Sequence, residues 1–192
     1  MFLLAIAAQL SAPEPKQIWF AVGDNPVPTR DALVSMRITV DPNGKLQSCE
    51  IESTSGDKDL DSYTCKITEK RARFRAARWT DGTASYGVYR LRTAWLARNQ
   101  PASQFRPYGD LILTLNRPPK GVRYPATTEV ALAVDEVGRI LSCGPTNKKS
   151  KLALVGIACD QLRASYRPVP AKDRDGAPIR SVQNARVFFV KE

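Results

Sequence analysis

The chain repeats itself. Asp41-Pro42-Asn43-Gly44-Lys45-Leu46-Gln47-Ser48-Cys49 lines up with Asp135-Glu136-Val137-Gly138-Arg139-Ile140-Leu141-Ser142-Cys143 at a shift of 94 residues. The same shift carries Cys65 onto Cys159 and Asp81-Gly82 onto Asp175-Gly176. Between them, Arg71-Ala72-Arg73-Phe74-Arg75 meets Arg163-Ala164-Ser165-Tyr166-Arg167 after a two-residue gap. Chance similarity does not keep a turn, two cysteines and a second Asp-Gly in order, so the chain is a duplication. Each copy then has fewer than 100 of the 192 residues, and its core is correspondingly modest.

Each copy has a readable local pattern. Val34, Met36, Ile38 and Val40 alternate with Ser35, Arg37 and Thr39, the period of a half-buried strand. Asp41-Pro42-Asn43-Gly44 is turn chemistry, because Pro presets φ and Gly accepts a positive φ. A second strand is expected from Lys45 to Glu52, and Ser53-Thr54-Ser55-Gly56 breaks it. A helix is expected from Lys58 to Arg75, with Leu60, Tyr63, Ile67 and Phe74 on one face, and a last strand from Tyr86 to Leu96. Copy two repeats the order: Val130, Leu132 and Val134 alternate with polar or small neighbours. Its helix is expected over Lys151–Tyr166, with Leu152, Val155, Cys159, Leu162 and Tyr166 on one face, and its last strand over Arg180–Val190. Apolar runs Ile18–Val22 and Leu111–Leu115 precede each copy's first loop. The expected class is therefore α+β: two tandem small modules, each β-loop-β-β-α-β, an antiparallel sheet with one main helix and the helices on one sheet face.

The boundaries follow. Residues 1–16 read as a leader, 17–97 as module one, Arg98–Gly109 as a linker and 110–192 as module two. Met1–Ala12 is apolar and ends in small residues before Pro13, as a secretory signal does, and cleavage after Ala12 is expected. No Lys or Arg precedes that run, and the other reading of it is the first strand of the fold. It is too short to span a bilayer, and no other segment is long enough. In an exported chain the four cysteines read as disulfides, and the duplication selects Cys49–Cys65 and Cys143–Cys159 from the three possible pairings. Zinc ligation normally uses close Cys-x-x-Cys pairs, which are absent.

No catalytic constellation emerges. The chain has no histidine, which removes the commonest general base and the commonest metal ligand. No phosphate-binding Gly-x-x-x-x-Gly-Lys is present. Asp57, Asp59 and Asp61 sit at a helix start, where carboxylates favour the macrodipole, and Ser55 is a turn residue. No enzyme, cofactor or metal is therefore expected. The net charge is +10, with 15 basic and 8 acidic side chains after residue 100. Basic runs at Lys70–Arg78 and Lys148–Lys151 suit a solvated surface or an anionic envelope polymer. Export and the absence of any nucleic-acid motif argue against nucleic acid.

The order of strand, Val40-Asp41-Pro42-Asn43-Gly44, strand, Ser53-Thr54-Ser55-Gly56, Leu60-Asp61, a helix ending Arg73-Phe74-Arg75-Ala76, Asp81-Gly82 and a final strand resembles the C-terminal domain of the TonB energy-transducer family, in its cysteine-bearing form. The resemblance covers Gln17–Ala97 well. In copy two, Asp110–Lys191, the turn and helix remain, but Thr146-Asn147-Lys148-Lys149-Ser150 replaces the Ser-Gly and Leu-Asp signature. It implies a periplasmic protein-binding module associated with outer-membrane transport and energy transduction. Such a module receives a peptide from an outer-membrane receptor or other envelope protein by strand addition. The alternative is a non-transducing, basic envelope-binding or structural protein with the same fold. The chain departs from the family plan in lacking a transmembrane anchor and a long Pro-rich arm. The expected receiving edges are the final strands, with Val88, Arg90, Arg92 and Ala94 facing outward in copy one and Asn184, Arg186 and Phe188 in copy two.

Overall fold

The computed structural model describes residues 9–17, 30–97, 109–146 and 150–191. The elements in chain order are β1 (Glu14–Gln17), β2 (Ala32–Val40), β3 (Leu46–Ser53), α1 (Lys58–Arg71), β4 (Arg73–Arg75), β5 (Ala77–Arg78), β6 (Ala84–Ser85) and β7 (Gly87–Trp95), then β8 (Leu111–Thr114), β9 (Ala126–Val134), β10 (Ile140–Pro145), α2 (Leu152–Ser165), β11 (Ala171–Lys172), β12 (Pro178–Ile179) and β13 (Ser181–Val190). The fold is α+β. Ile18–Val22, the expected linker up to residue 108, and Asn147–Lys149 lie outside the described residues.

The two copies do not form separate sheets. One seven-stranded sheet runs β10-β9-β13-β7-β2-β3, with β8 added to β13. The copies join where β7 and β13 pair in parallel, Gly87 against Val182 and Val88 against Gln183. Side chains alternate along a strand, and paired residues share a face. Val34, Met36, Ile38 and Val40 lie with Leu60 and Phe74 under α1, and β7 shows that face through Tyr89, Leu91 and Trp95. Val88 points the other way. It is level with Gln183, which shares its face with Ala185, Val187 and Phe189, the residues under α2. The helices therefore pack on opposite faces of the shared sheet, not on one. Each core holds fully buried residues (Leu60, Met36 and Ile38 in one, Leu132, Leu162 and Phe189 in the other), each worth about 1.5–3 kcal/mol.

This arrangement leaves each copy's rear sheet face bare, and the other copy covers it. Residues 166–172, after α2, lie over the rear of copy one, where Arg37 meets the carbonyls of Val169 and Pro170. Ala77 and Trp79, after α1, lie over the rear of copy two against Ala131, Ala133 and Val182. Leu10 joins that second cluster and is only 6% exposed. Ser11 exchanges backbone hydrogen bonds with Arg78, and β1 pairs with β4. Leu10 to Gln17 thus pack on the fold, across the leader boundary expected at residue 16. The Pro13 ring lies where a Cβ at Gly87 would sit, 2.2 Å from its Cγ.

The repeat also needs no gap. Helices α1 and α2 begin and end 94 residues apart, and both C-caps, Ala72 and Tyr166, have extended backbone. The counterpart of Phe74 is thus Pro168, not Tyr166. A Cβ at Gly44 (φ 81°) would lie 2.6 Å from the Phe74 carbonyl oxygen, and one at Gly138 (φ 81°) 2.5 Å from that of Pro168. Only glycine accommodates both the left-handed backbone and that approach. The expected run of α1 to Arg75 is overturned because β4 is taken by β1, which puts Phe74 into the core from a strand. Leu152, expected on the apolar face of α2, is 73% exposed in its first turn.

Candidate functional site

Of the residues expected on open edges, Val88 and Phe188 have strand partners on both sides, while Arg90 and Arg92 pair with β2 alone and Asn184 and Arg186 with β9 alone. Val88 pairs with Thr39 on one side and Gln183 on the other, and it is fully buried. Arg90 and Arg92 face Arg37 and Ser35 of β2, while Asn184, Arg186 and Phe188 face Ala131, Glu129 and Thr127 of β9. The two expected edges have become neighbours. They pair for two residues and then splay, and side chains satisfy the freed backbone. The Asn184 amide oxygen accepts from the Arg90 N–H at 3.0 Å, and an Asp110 carboxylate oxygen accepts from the Arg186 N–H at 2.7 Å. From Leu111, β8 pairs with β13 on the side that β7 has left. Every buried backbone donor needs such a partner, which is why Asn and Asp stand at these points.

The seam behind copy one is charged. The Arg37 guanidinium, with its side chain 7% exposed, meets Glu50 at 2.6 Å as well as the two carbonyls of the other copy. The Arg90 side chain is 5% exposed and lies 3.3 Å from Glu52 and 3.6 Å from Asp110. Its guanidinium also sits 5.9 Å from the Tyr166 ring centroid, within cation–π range. Burial pushes the Tyr166 hydroxyl up to about 12, so it stays neutral there at all ordinary pH. Gln183, fully buried, accepts from Arg90 and donates to the Val169 carbonyl at 3.0 Å. At the far end, Arg186 is hydrogen-bonded to Glu129. Burial opposes its charge, but Glu129 outweighs burial and holds its pKa above the ordinary value.

The seam behind copy two is apolar, and it opens into a cavity. This open cavity of about 530 Å³ is lined by Pro42, Trp79, Tyr86, Ala133, Leu141 and Arg180, with Ala84, Ser85 and Ser142 beside them. One wall is β10, the outermost strand of the sheet, which has β9 as its only strand neighbour among the described residues. Ile140–Pro145 carries no charged side chain. Leu141 occupies a bulge, since Ile140 pairs with Val134 and Ser142 with Ala133. The bulge leaves Leu141 52% exposed at the cavity's rim. The opposite outer strand, β3, carries Glu50 and Glu52, directed at Arg37 and Arg90.

Sequence reasoning passed over Trp79 and Leu141. The signal was present in the repeat: Leu141 stands where copy one has Gln47, and Trp79 stands where copy two has Asp173. The cysteines are where they were expected, Cys49 bonded to Cys65 and Cys143 to Cys159, each tying an outer strand to its helix. Among the described residues no cluster of His, Cys, Asp and Glu has the makings of a metal site, and no helix is long and apolar enough to cross a membrane. No family model, no curated protein and no solved structure matches this chain.

Proposed function

We propose that the chain is a non-catalytic, exported protein-binding module of the periplasm. In this reading it is two fused units resembling the TonB C-terminal domain, and it takes up an extended segment of an outer-membrane receptor or other envelope protein by strand addition. The observation that carries the reading is β10: an outermost strand of six uncharged residues, beside an apolar cavity. Charge is one common device that blunts an edge strand, and β10 lacks it. A bulge at Leu141 and the proline Pro145 are the devices it carries, and an uncharged outer strand beside a cavity suits a partner strand. The two disulfides agree with an oxidising compartment. In this reading the receiving edge is β10 and not the final strands, which pair with each other at Gly87–Val182 and Val88–Gln183 where β7 and β13 meet. An association with energy transduction rests on the resemblance alone.

Random dodecapeptides displayed on phage can be selected against the oxidised protein, and a selected peptide followed by hydrogen–deuterium exchange. The expected result is new protection at residues 140–144 with none at 46–53. Protection confined to β3, or no selected peptide, overturns strand addition at β10. Retention on anionic polymer without peptide binding would favour the alternative, a basic envelope-binding protein, which the net charge of +10 supports.

A further inference from the structure

The duplication supplies an internal control for the cavity. Both copies have the same bulge on the second strand, at Gln47 in copy one and at Leu141 in copy two. Both bulges lie beside the hairpin of the other copy, β11–β12 for Gln47 and β5–β6 for Leu141. In copy one the Gln47 amide crosses the seam and donates to the Lys172 carbonyl at 2.9 Å. At the seam behind copy two, four of the corresponding groups are apolar: Leu141 for Gln47, Ala133 for Thr39, Trp79 for Asp173 and Pro42 for Glu136. Leu141 has no donor to bridge with, and the seam stays open as the cavity.

The cavity's position relative to the edge determines what can enter it. Ser142 pairs with Ala133, and both line the cavity. A residue on an added strand opposite Ser142 points its side chain to that same face, and so does the residue two further on. The cavity is also continuous with the apolar seam, because Trp79 and Ala133 belong to both. At about 530 Å³ it exceeds the volume of one side chain and suits two. Arg180 closes the rim. Its bond to Glu136, 3.2 Å, is between exposed groups, and such surface pairs hold little energy and exchange readily for another carboxylate.

We propose that the cavity reads the added strand. The partner is an extended peptide with two bulky apolar residues separated by one position and an acidic residue beside them. Each chain binds one such peptide, at copy two only. This rests on the strand-addition reading and goes beyond it in naming the anchor residues and the stoichiometry.

The probe is the peptide most enriched in the phage selection, titrated by calorimetry into the full oxidised chain and into Leu141→Gln and Gln47→Leu. Leu141 is exposed, so its replacement leaves the cores intact, and circular dichroism checks this. Leu141→Lys serves as a second cavity variant. The expected results are an apolar-x-apolar pattern with a neighbouring acid, a ratio of one peptide per chain, and a loss on the order of tenfold or more for Leu141→Gln. Gln47→Leu is expected to leave affinity and ratio unchanged. Selected peptides that protect residues 140–144 but lack the apolar pair, or that bind both Leu141 variants normally, overturn the cavity reading while strand addition stands. Two peptides per chain overturn the single site. Peptides that bind without protecting β10 overturn strand addition itself.

Discussion

The two seams cover equivalent sheet faces by opposite chemistry. Behind copy one, the buried Arg37 and Arg90 reach the partly exposed Glu50 and Glu52, the buried Asp110 and backbone carbonyls. Behind copy two, Ala131 replaces Arg37, Asn184 replaces Arg90, and Leu10 fills the space from the N-terminal segment. A charged seam demands a partner for each group and so specifies one docking geometry, since a buried charge left unpaired is costly. An apolar seam demands only volume and can end in an unfilled cavity without any unsatisfied polar atom. The proposed binding site falls on the seam that chemistry allows to stay open.

Arg37→Ala is the largest test of this contrast. It leaves the Val169 and Pro170 carbonyls and Glu50 without their shared donor, and is expected to cost about 3 kcal/mol in urea denaturation. A cost below about 1 kcal/mol would mean that the charged seam does not hold the copies together.

Leu10→Ala probes the other seam and is expected to cost about 2 kcal/mol, the low end for a buried leucine because the cluster around it is mostly alanine. A variant as stable as the parent would remove Leu10 from the folded protein. It would also return the segment to the role of a leader.

The smallest effect separates the two helix starts. In copy one, Asp57 caps α1 by accepting from the Asp59 and Leu60 N–H groups, and Asp61 accepts from Thr54 and from the Ser55 N–H and hydroxyl. In copy two, Lys151 offers no side-chain cap, and Val155 stands at the place of Asp61. Burial raises the pKa of Asp61, but the Thr54 and Ser55 hydrogen bonds outweigh it and hold it below the ordinary 3.8. Its stabilisation is therefore present above that ordinary value and is lost as pH falls through the lower folded value. Asp61→Asn is expected to cost about 1 kcal/mol at neutral pH and nothing once Asp61 is protonated. Urea midpoints measured from pH 7 down to pH 2 check this. A cost that persists unchanged in acid would mean that the charge on Asp61 is not what is lost.

Much of each copy was legible because it is local. Period-two apolar residues marked β2 and β9, and the Asp-x-x-Gly turns that follow carry Gly44 and Gly138 at positive φ. Matched cysteine spacing indicated both disulfides. The Ser-Gly and Leu-Asp signature proved to be a hydrogen-bonded start to α1, centred on Asp61. What misled was the assumption that similar residues align. Arg-Ala-x-aromatic-Arg suggested a gap, whereas the backbone places Phe74 and Pro168 in the same position over a turn glycine.

The sequence by itself determined the two-fold repetition, the strand and helix types, the turns and the covalent clips, because each depends on residues a few positions apart or on one exact spacing. Only the tertiary structure decided that the final strands face each other and not the solvent. Val88 and Val182, like Arg90 and Asn184, read equally well as open edge or shared seam, since alternation specifies a strand's face but not its neighbour. The parallel pairing of β7 with β13 turned one copy over relative to the other. That inversion put the helices on opposite faces, exchanged the covers of the two rear faces, and left β3 and β10 as the outer strands.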